Sequence, residues 1–588
     1  LKEATMTMEM RKDIFADERD DDLNVIGKGL QRQDAPGHVT GRTRFFDDHA
    51  FDGLLHLKAV RSPHAHARIR AIDVSAAERA PGVKRVLRGA DVPVNKNTLL
   101  SLINFGKDDE PSLAVDKVRY KGEPVVAILA DSEAEALAAR KLVRIDYEPL
   151  QSVFDVEEAL KPGAPVVNET YPGNYFEYHE RFDHQKLRFG DVERGFAGAD
   201  IVMEHRYQMS PIEHAPTETN GTIAAPEQNG RFVVHSCAQG LFFSLGTTAK
   251  ILNLESNRLH FIGGTVGGGF GGKVDSLTEP LAVLGAMLTG KPVRFVLDRE
   301  EEMLYGSPRG AERIYIKDGV MRDGRIVARY IRSYFDAGAY TRLSSYAAIK
   351  CTAHVPGPYW IPNVSSDIYV AYTNRCPSTA MRGFGVTAVD FALEVQMDRL
   401  AEATSMDPME FRILNAYRDG DMKPHRRAAK NTALVECVQV AAEKANWPLS
   451  EQARRQSSLN GGAGERGQIP ATTIDTKGQI GRPETRAGTP TQTLPAGTAR
   501  IPLSKQPVME GARDGRAAPT QVPRYEPARP TMPPNAPPAY APPPYQAASP
   551  PAAPSYQPAP LPVSAPAAPA QTQHGAVRFS SVFGTRRR

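Results

Sequence analysis

Leu55, Leu57 and Ala59 alternate with His56 and Lys58, the period of two expected of a strand with one buried face. Val125 to Ala130 is a short unbroken apolar run, suited to a strand buried on both faces. Ser132 and Glu135 then form a capping-box pair, and Ala134, Leu137, Ala138 and Leu142 mark one helical face. Val143, Ile145 and Tyr147 alternate again. Further along, Leu393, Met397, Leu400 and Ala401 recur at helical spacing. Asp407, Pro408 and Glu410 then read as the N-cap, first residue and capping-box partner of another helix. Strands and helices are mixed throughout, so the pattern predicts an α+β protein.

After Asn460 the periodicity stops. Of 48 prolines, 25 follow that residue, and the segment PPNAPPAYAPPPYQAASPPAAPSYQPAPLP repeats Ala, Pro, Tyr and Gln. Such a composition cannot bury enough apolar surface to offset its ordering entropy, and polyproline II character is expected of it. The folded part is expected to end just after Trp447–Pro448, with residues 451–588 as a disordered tail. The length of 588 residues and 41% hydrophobic content call for two or three folded units. A net charge of +4 gives no reason to expect nucleic acid or an anionic membrane as partner. Leu1 to Asp22 is densely charged without an apolar h-region, and no apolar run is long enough to span a bilayer, so a cytoplasmic location is the expectation. Cys237, Cys351, Cys376 and Cys437 are far apart and form no CxxC pair, so they read as buried thiols with no iron–sulfur or zinc ligand set.

Three segments are candidates for chemistry. In Gly263-Gly264-Thr265-Val266-Gly267-Gly268-Gly269-Phe270-Gly271-Gly272-Lys273, seven of eleven residues are glycine. Successive backbone N–H groups in such a loop make an anion-binding concavity, and a phosphate-bearing cofactor is a sensible occupant. Gly267 to Lys273 also fits the start of a P-loop, but Val274 stands where Mg²⁺ binding needs Ser or Thr. A flexible turn is the remaining reading, though the embedded Phe270 and a preceding strand at Leu259–Ile262 speak against it. In the second segment, residues 373–385, Arg382 offers charge-assisted hydrogen bonds and Phe384, between two glycines, a ring for a pocket. A surface turn explains that segment about as well. In the third, Gln239 follows a strand at Arg231–His235 and precedes a helix near Thr247–Leu254, where its amide can donate to a metal-oxo ligand. His64 and His66 have no third ligand nearby and read as structural, and Glu213, His214 and Glu218 form a polar cluster without an evident role.

These segments occur together and in order, and there the chain resembles a known family. VTGRTRFFDD, AVRSPHAHARIRAID, PGVKRV and VRYKGEPVVAILADSEAEALAARKLVRIDYEPL resemble the α/β-hammerhead domain of the xanthine dehydrogenase/aldehyde oxidase family of molybdenum hydroxylases. IEHAPTETNGTIA, the Gln239 segment, VGGGFGGK, PVRFVLDREEEM and TNRCPSTAMRGFG resemble that family's first molybdopterin-binding domain, and DPMEFRILNAYRDGD the helix after it. The resemblance covers roughly residues 25–448 and implies a division into an N-terminal extension (1–24), a hammerhead domain (25–160), a mixed α/β first molybdopterin-binding domain (161–450) and the tail.

It also implies a molybdenum–molybdopterin cofactor, in bacteria often in the cytosine dinucleotide form, with no metal ligand supplied by the chain itself. By resemblance, Gln239 approaches an oxo ligand, while Gly268, Gly269, Phe270, Gly271, Arg382 and Gly383 adjoin the cofactor. Phe384 packs against a flat substrate, and Arg342 (or Thr341) and Val274 belong to the same wall. The implied reaction is hydroxylation of an electron-poor carbon in a small molecule such as an N-heterocycle or aldehyde, with water as oxygen source. Electrons leave through [2Fe–2S] clusters to FAD, and with no site for either here, both belong on partner subunits.

Three departures narrow this. Val274 stands where animal xanthine dehydrogenases carry Glu, against xanthine as substrate. Gly383 stands where carbon monoxide dehydrogenases carry Cys, against carbon monoxide. The family's second molybdopterin-binding domain, with its general-base glutamate, has no counterpart after Pro448, so no catalytic residue is expected in this chain. The chain is then one of three things: the front polypeptide of a split molybdenum subunit, as in nicotinate dehydrogenase-like enzymes; a truncated or fused product without activity; or a non-catalytic adaptor binding partners through its tail.

Overall fold

The computed structural model describes residues 29–459 apart from residue 180. The N-terminal extension and the tail from residue 460 lie outside the described residues. Six strands come first: β1 (Leu55–Arg61), β2 (Ala67–Asp73), β3 (Val83–Arg88), β4 (Lys117–Val118), β5 (Pro124–Ala130) and β6 (Arg144–Pro149). Nine follow: β7 (Gln185–Phe189), β8 (Ile201–Met209), β9 (Gly221–Pro226), β10 (Phe232–Ser236), β11 (Leu259–Gly263), β12 (Val293–Val296), β13 (Glu312–Val320), β14 (Ile326–Gly338) and β15 (Val364–Tyr372). They build a seven-stranded sheet in the order β11-β10-β9-β12-β1-β5-β3, a five-stranded sheet β7-β15-β14-β13-β8 and a three-stranded sheet β4-β2-β6.

The unbroken apolar run of β5 has a simple cause. Ala127 and Leu129 enter the large core, while Val126 and Ile128 enter a second core with Ala67, Val118 and Ala139. Both faces of β5 are covered, so no position on it can be polar. In β1, Leu55, Leu57 and Ala59 are buried as expected, but Lys58 on the other face is buried too, donating to the Val296 carbonyl at 3.1 Å and pairing with Glu133 at 2.8 Å. The seven-stranded sheet crosses the boundary near residue 160, because β1 pairs in parallel with β12, Leu55 opposite Val293. The two segments that the motifs separate thus share one sheet.

Three local expectations need correction. The helix Glu133–Arg140 is capped by Ser132, whose Oγ accepts the Glu135 N–H, but it buries Ala136 and Ala139 rather than the Ala134/Leu137/Ala138/Leu142 face. The helix lies against β1 and β5, and alanines let its backbone approach the sheet closely where leucines would hold it off. In the helix Pro408–Asn415, Asp407 caps the N–H groups of Met409 and Glu410 as expected. Glu410 does not close a capping box: its carboxylate accepts the Ser450 N–H at 2.6 Å and the Ser450 hydroxyl at 3.1 Å. That bond belongs to the third correction, since residues 451–459, expected in the tail, are folded. Helix Glu451–Arg454 buries Ala453 against Ile413, Val438 and Leu449, and Ser458 donates its N–H to Glu436 at 2.7 Å. Too short for a periodic signature, the segment is held by tertiary contacts.

Candidate functional site

β10 and β11 run parallel, Ser236 opposite Gly263, so the loops leaving them emerge at the same edge. The first carries Gln239 and leads into the helix Leu241–Leu252, and the second is the Gly-rich loop. Gln239 donates its backbone N–H to the Lys273 carbonyl at 2.7 Å. Its side-chain oxygen accepts the N–H groups of Gly271 at 2.8 Å and Lys273 at 3.2 Å. Those two donors fix the orientation of the amide, leaving the NH₂ end without a partner among the described residues. The approach is so close that a Cβ on Gly269 would stand 2.5 Å from the Gln239 Cδ.

The third segment arrives from the end of β15 in the other sheet. Arg382 donates its N–H to the Phe270 carbonyl at 2.8 Å. A Cβ on Gly271, whose φ is +109°, would meet the Ala380 carbonyl at 2.5 Å. His214 closes the junction, with Nε2 2.9 Å from the Ala380 oxygen and its ring against Gly272. Arg309 donates to the Arg382 carbonyl from below. Three segments spread over more than 140 residues of sequence therefore meet at one place.

Beneath the loop, Lys273 is fully buried and donates to Glu218 at 2.8 Å, and Glu218 also accepts the Gly267 N–H at 2.8 Å. A lysine committed in this way cannot reach a nucleotide phosphate, which removes the P-loop reading. It also assigns Glu218 and His214, the polar cluster without an evident role, as the struts that hold the loop. Both residues stand out in the sequence, but their partners lie too far along the chain to be read from it. Burial pushes the Cys237 thiol, next to this loop, up to about 12, despite the Lys273 ammonium nearby.

Several donors around the loop lack an acceptor. Among the described residues, the N–H groups of Gly268, Gly269 and Phe270 reach no protein acceptor, nor does the exposed Arg382 guanidinium. Phe270 itself is held at φ +54°, a conformation that is uncommon for a bulky residue and collects at ligand sites. With the Gln239 NH₂, this is a cluster of hydrogen-bond donors without an acceptor, and it suits an anionic, oxygen-rich ligand. A phosphate-bearing pterin with metal-oxo groups fits that donor set.

Beside it, Val274, Phe384, Leu343 and Ala380 pack with Leu99 and Leu100 into one apolar cluster. Tyr346 lies 6.1 Å from the Phe384 ring. Two of the three expected wall residues, Val274 and Phe384, are thus brought together. Arg342 is not available to a substrate. It is 3% exposed, and its guanidinium is bound bidentately by Glu110 at 2.8 and 3.0 Å. Its remaining nitrogen donates to the Gly306 carbonyl and the Ser307 hydroxyl. Thr341, the neighbouring alternative, is buried on Asp109 and Tyr372. An arginine in sequence carries no sign of whether its charge is already matched.

Residues 168–416 match the model of the molybdopterin cofactor-binding domain, and residues 40–151 that of the aldehyde oxidase and xanthine dehydrogenase a/b hammerhead domain. The nicotinate dehydrogenase large molybdopterin subunit of Eubacterium barkeri is 33% identical over 427 residues, which is 72% of this chain and 97% of that protein. The chain belongs to the xanthine dehydrogenase/aldehyde oxidase family of molybdenum hydroxylases. The nicotine 6-hydroxylase large subunit of Paenarthrobacter nicotinovorans is also 33% identical, over 72% of this chain and 52% of its own length. Aldehyde oxidoreductase from Desulfovibrio gigas superposes with a TM-score of 0.66 at 30% identity, covering 71% of this chain and 47% of that one. This molybdenum-hydroxylase chain therefore spans about half the length of these two relatives and nearly all of the first. No helix among the described residues is long and apolar enough to cross a membrane.

Proposed function

We propose that this chain is the front part of a molybdenum-cofactor-binding subunit, in an oxidoreductase that hydroxylates an N-heterocycle or aldehyde with water as oxygen source. On this reading a separate polypeptide supplies the second molybdopterin-binding domain with the general base, and further subunits carry [2Fe–2S] clusters and FAD. The observation that carries the reading is the match in extent: the folded part corresponds to nearly the whole of a relative that is itself called a large molybdopterin subunit.

The cofactor, when bound, supplies the two-electron redox chemistry. This chain's residues do the holding and shaping. The N–H groups of Gly268, Gly269 and Phe270 and the Arg382 guanidinium bind anionic oxygens of the pterin, in its simple or cytosine dinucleotide form. Gly383, at φ +80°, lets the chain turn directly after Arg382. The Gln239 NH₂, oriented by the two loop N–H groups that hold its other end, would donate to the metal end of the cofactor. Val274 and Phe384 form a flat apolar wall that excludes water and suits an aromatic ring. Neither a carboxylate at 274 nor a thiol at 383 is present for xanthine or carbon monoxide.

A partner at this face is supported by exposed apolar side chains around the site. Phe242 is 89% exposed, Ile103 50% and Phe270 48%. Such a rim beside a half-built pocket is what a second polypeptide would cover.

The test is molybdenum and pterin analysis of the chain purified alone and together with the products of neighbouring genes. Molybdenum in the second preparation is expected. A truncated inactive product, or an adaptor working through its Pro-rich tail, gives none in either.

A further inference from the structure

Among the described residues six strands end a sheet, and five of them are poor templates for another strand. β4 has two residues, and β7 and β11 have five each. β3 and β6 have six each, and both meet their neighbours with a register shift. β8 is different. Its nine residues pair with β13 without a shift, from Ile201 opposite Val320 to Met209 opposite Glu312. It is neither short nor bulged, and it carries no proline or lysine, the usual means of keeping an edge strand from pairing. Its two exposed charges, Glu204 and Arg206, are of opposite sign. Neither has an ion-pair partner among the described residues, and Arg206 donates only to its neighbour Gln208, at 3.3 Å.

The order of residues along β8 says what would pair with it. The strand reads Ile-Val-Met-Glu-His-Arg-Tyr-Gln-Met, with His205 at its centre. Laid antiparallel on a second copy about a two-fold axis through His205, all nine residues find an opposite number. On the open face Glu204 of each copy stands opposite Arg206 of the other, at the spacing of about 5 Å that lets such pairs interact. On the face turned to the helix Thr387–Ala403, Ile201 stands opposite Met209 and Met203 opposite Tyr207. A slip by one residue would put open-face side chains opposite helix-face ones. Moving the axis to Glu204 or to Arg206 would set two like charges against each other. Beside the edge, Val202 on one face and Phe391 of the helix on the other are 45% and 48% exposed, and the Phe391 ring lies 6.3 Å from that of Tyr207.

We propose that β8 pairs antiparallel with β8 of a second copy of this chain, joining two five-stranded sheets into one of ten strands. Glu204 and Arg206 form two reciprocal ion pairs across the axis, and they fix the register. The backbone hydrogen bonds supply the affinity, as in other cases of strand addition. The contact is self-complementary, so it closes at two copies and leaves no free edge there for a third. The competing occupant of the edge is a strand of another polypeptide, which would have no reason to depend on both charges reciprocally.

The test is sedimentation equilibrium of the full chain, without cofactor or other polypeptides. The proposal predicts a species of twice the chain mass. Glu204→Arg and Arg206→Glu each set like charges opposite one another at two places, and each weakens the dimer about tenfold or more. The double variant, with both charges exchanged, dimerises like the wild type. An equimolar mixture of the two single variants forms a heterodimer, because each then faces the opposite charge twice. That recovery also shows that both single variants are folded. A wild-type chain that stays monomeric overturns the proposal. So do single variants that dimerise as tightly as the wild type, or a mixture that gains nothing over its components. Slowed hydrogen exchange of β8 that appears only when the second molybdopterin-domain polypeptide is added gives the edge to that partner, and overturns it too. Molybdenum content plays no part in these readouts, so their failure leaves the proposed function standing.

Discussion

Gln239 has two jobs at its two ends. Its oxygen ties the Gly-rich loop through Gly271 and Lys273, and on the proposed function its NH₂ is the group offered to the cofactor. Gln239→Glu keeps the acceptor but removes the donor and adds a negative charge facing anionic oxygens. We expect molybdenum retained per chain in the assembled enzyme to fall about 10–100-fold, the usual scale for losing a group that supports a metal site. Retention at the wild-type level would remove Gln239 from the site. Arg342 makes the opposite prediction. Since Arg342 is buried and Glu110 is only one-fifth exposed, Arg342→Ala leaves a largely desolvated carboxylate unpaired and should destabilise the chain by about 3 kcal/mol in denaturant unfolding. A stable variant with only a raised KM would return Arg342 to the substrate wall.

At the level of elements, the edge where β7 meets β15 carries a pH-sensitive pair. His184 lies between Asp183 at 2.5 Å and Asp367 at 2.9 Å, and its ring stacks on Tyr369. Burial alone would lower the His184 pKa, but hydrogen bonds to the two carboxylates outweigh it and raise it. Burial likewise opposes ionisation of Asp367, yet His184 and Arg188 hold its pKa at about 2. The Asp367 contribution to stability is therefore present above the ordinary Asp range near 4 and is lost as pH falls toward 2. The His184 contribution is full below about 6.5 and fades as pH rises through its raised pKa. Unfolding followed against pH should show this edge most stable between about pH 4 and 6.5, with His184→Gln flattening the alkaline side. An identical profile in the variant would contradict the assignment.

The same scale shows what sequence could convey. The strands β1 and β5 and the helix caps at Ser132 and Asp407 were legible because their signals are local: a period, an apolar run, one capping side chain. The buried face of the helix Glu133–Arg140 was not, because alanines and leucines differ little in pattern and only the distance to the sheet chooses between them. Of the site, the glycines, Gln239 and the RGFG segment were visible as separate weak signals that became informative in order. Which polar residues face the site, and which are spent beneath it, was not visible. Lys273 and Arg342 are both buried in ion pairs with partners 55 and 232 residues away.

For the whole molecule, the proposed function makes the cluster of donors and the exposed apolar rim one half of a site. Phe242 is almost fully exposed at the start of the helix that follows Gln239, and on the proposed function it belongs to the surface a second polypeptide would bury. Phe242→Asp should leave the Tm of the isolated chain nearly unchanged while abolishing co-purification of the second molybdopterin-domain polypeptide. Co-purification at the wild-type level would place the partner elsewhere. The most direct measurement is the molybdenum-to-chain ratio, with pterin analysis, for the chain alone and for the chain assembled with that polypeptide. Half a cradle predicts little or no molybdenum in the first preparation and about one atom per chain in the second. No molybdenum in either, or a full complement in the chain alone, would contradict the account.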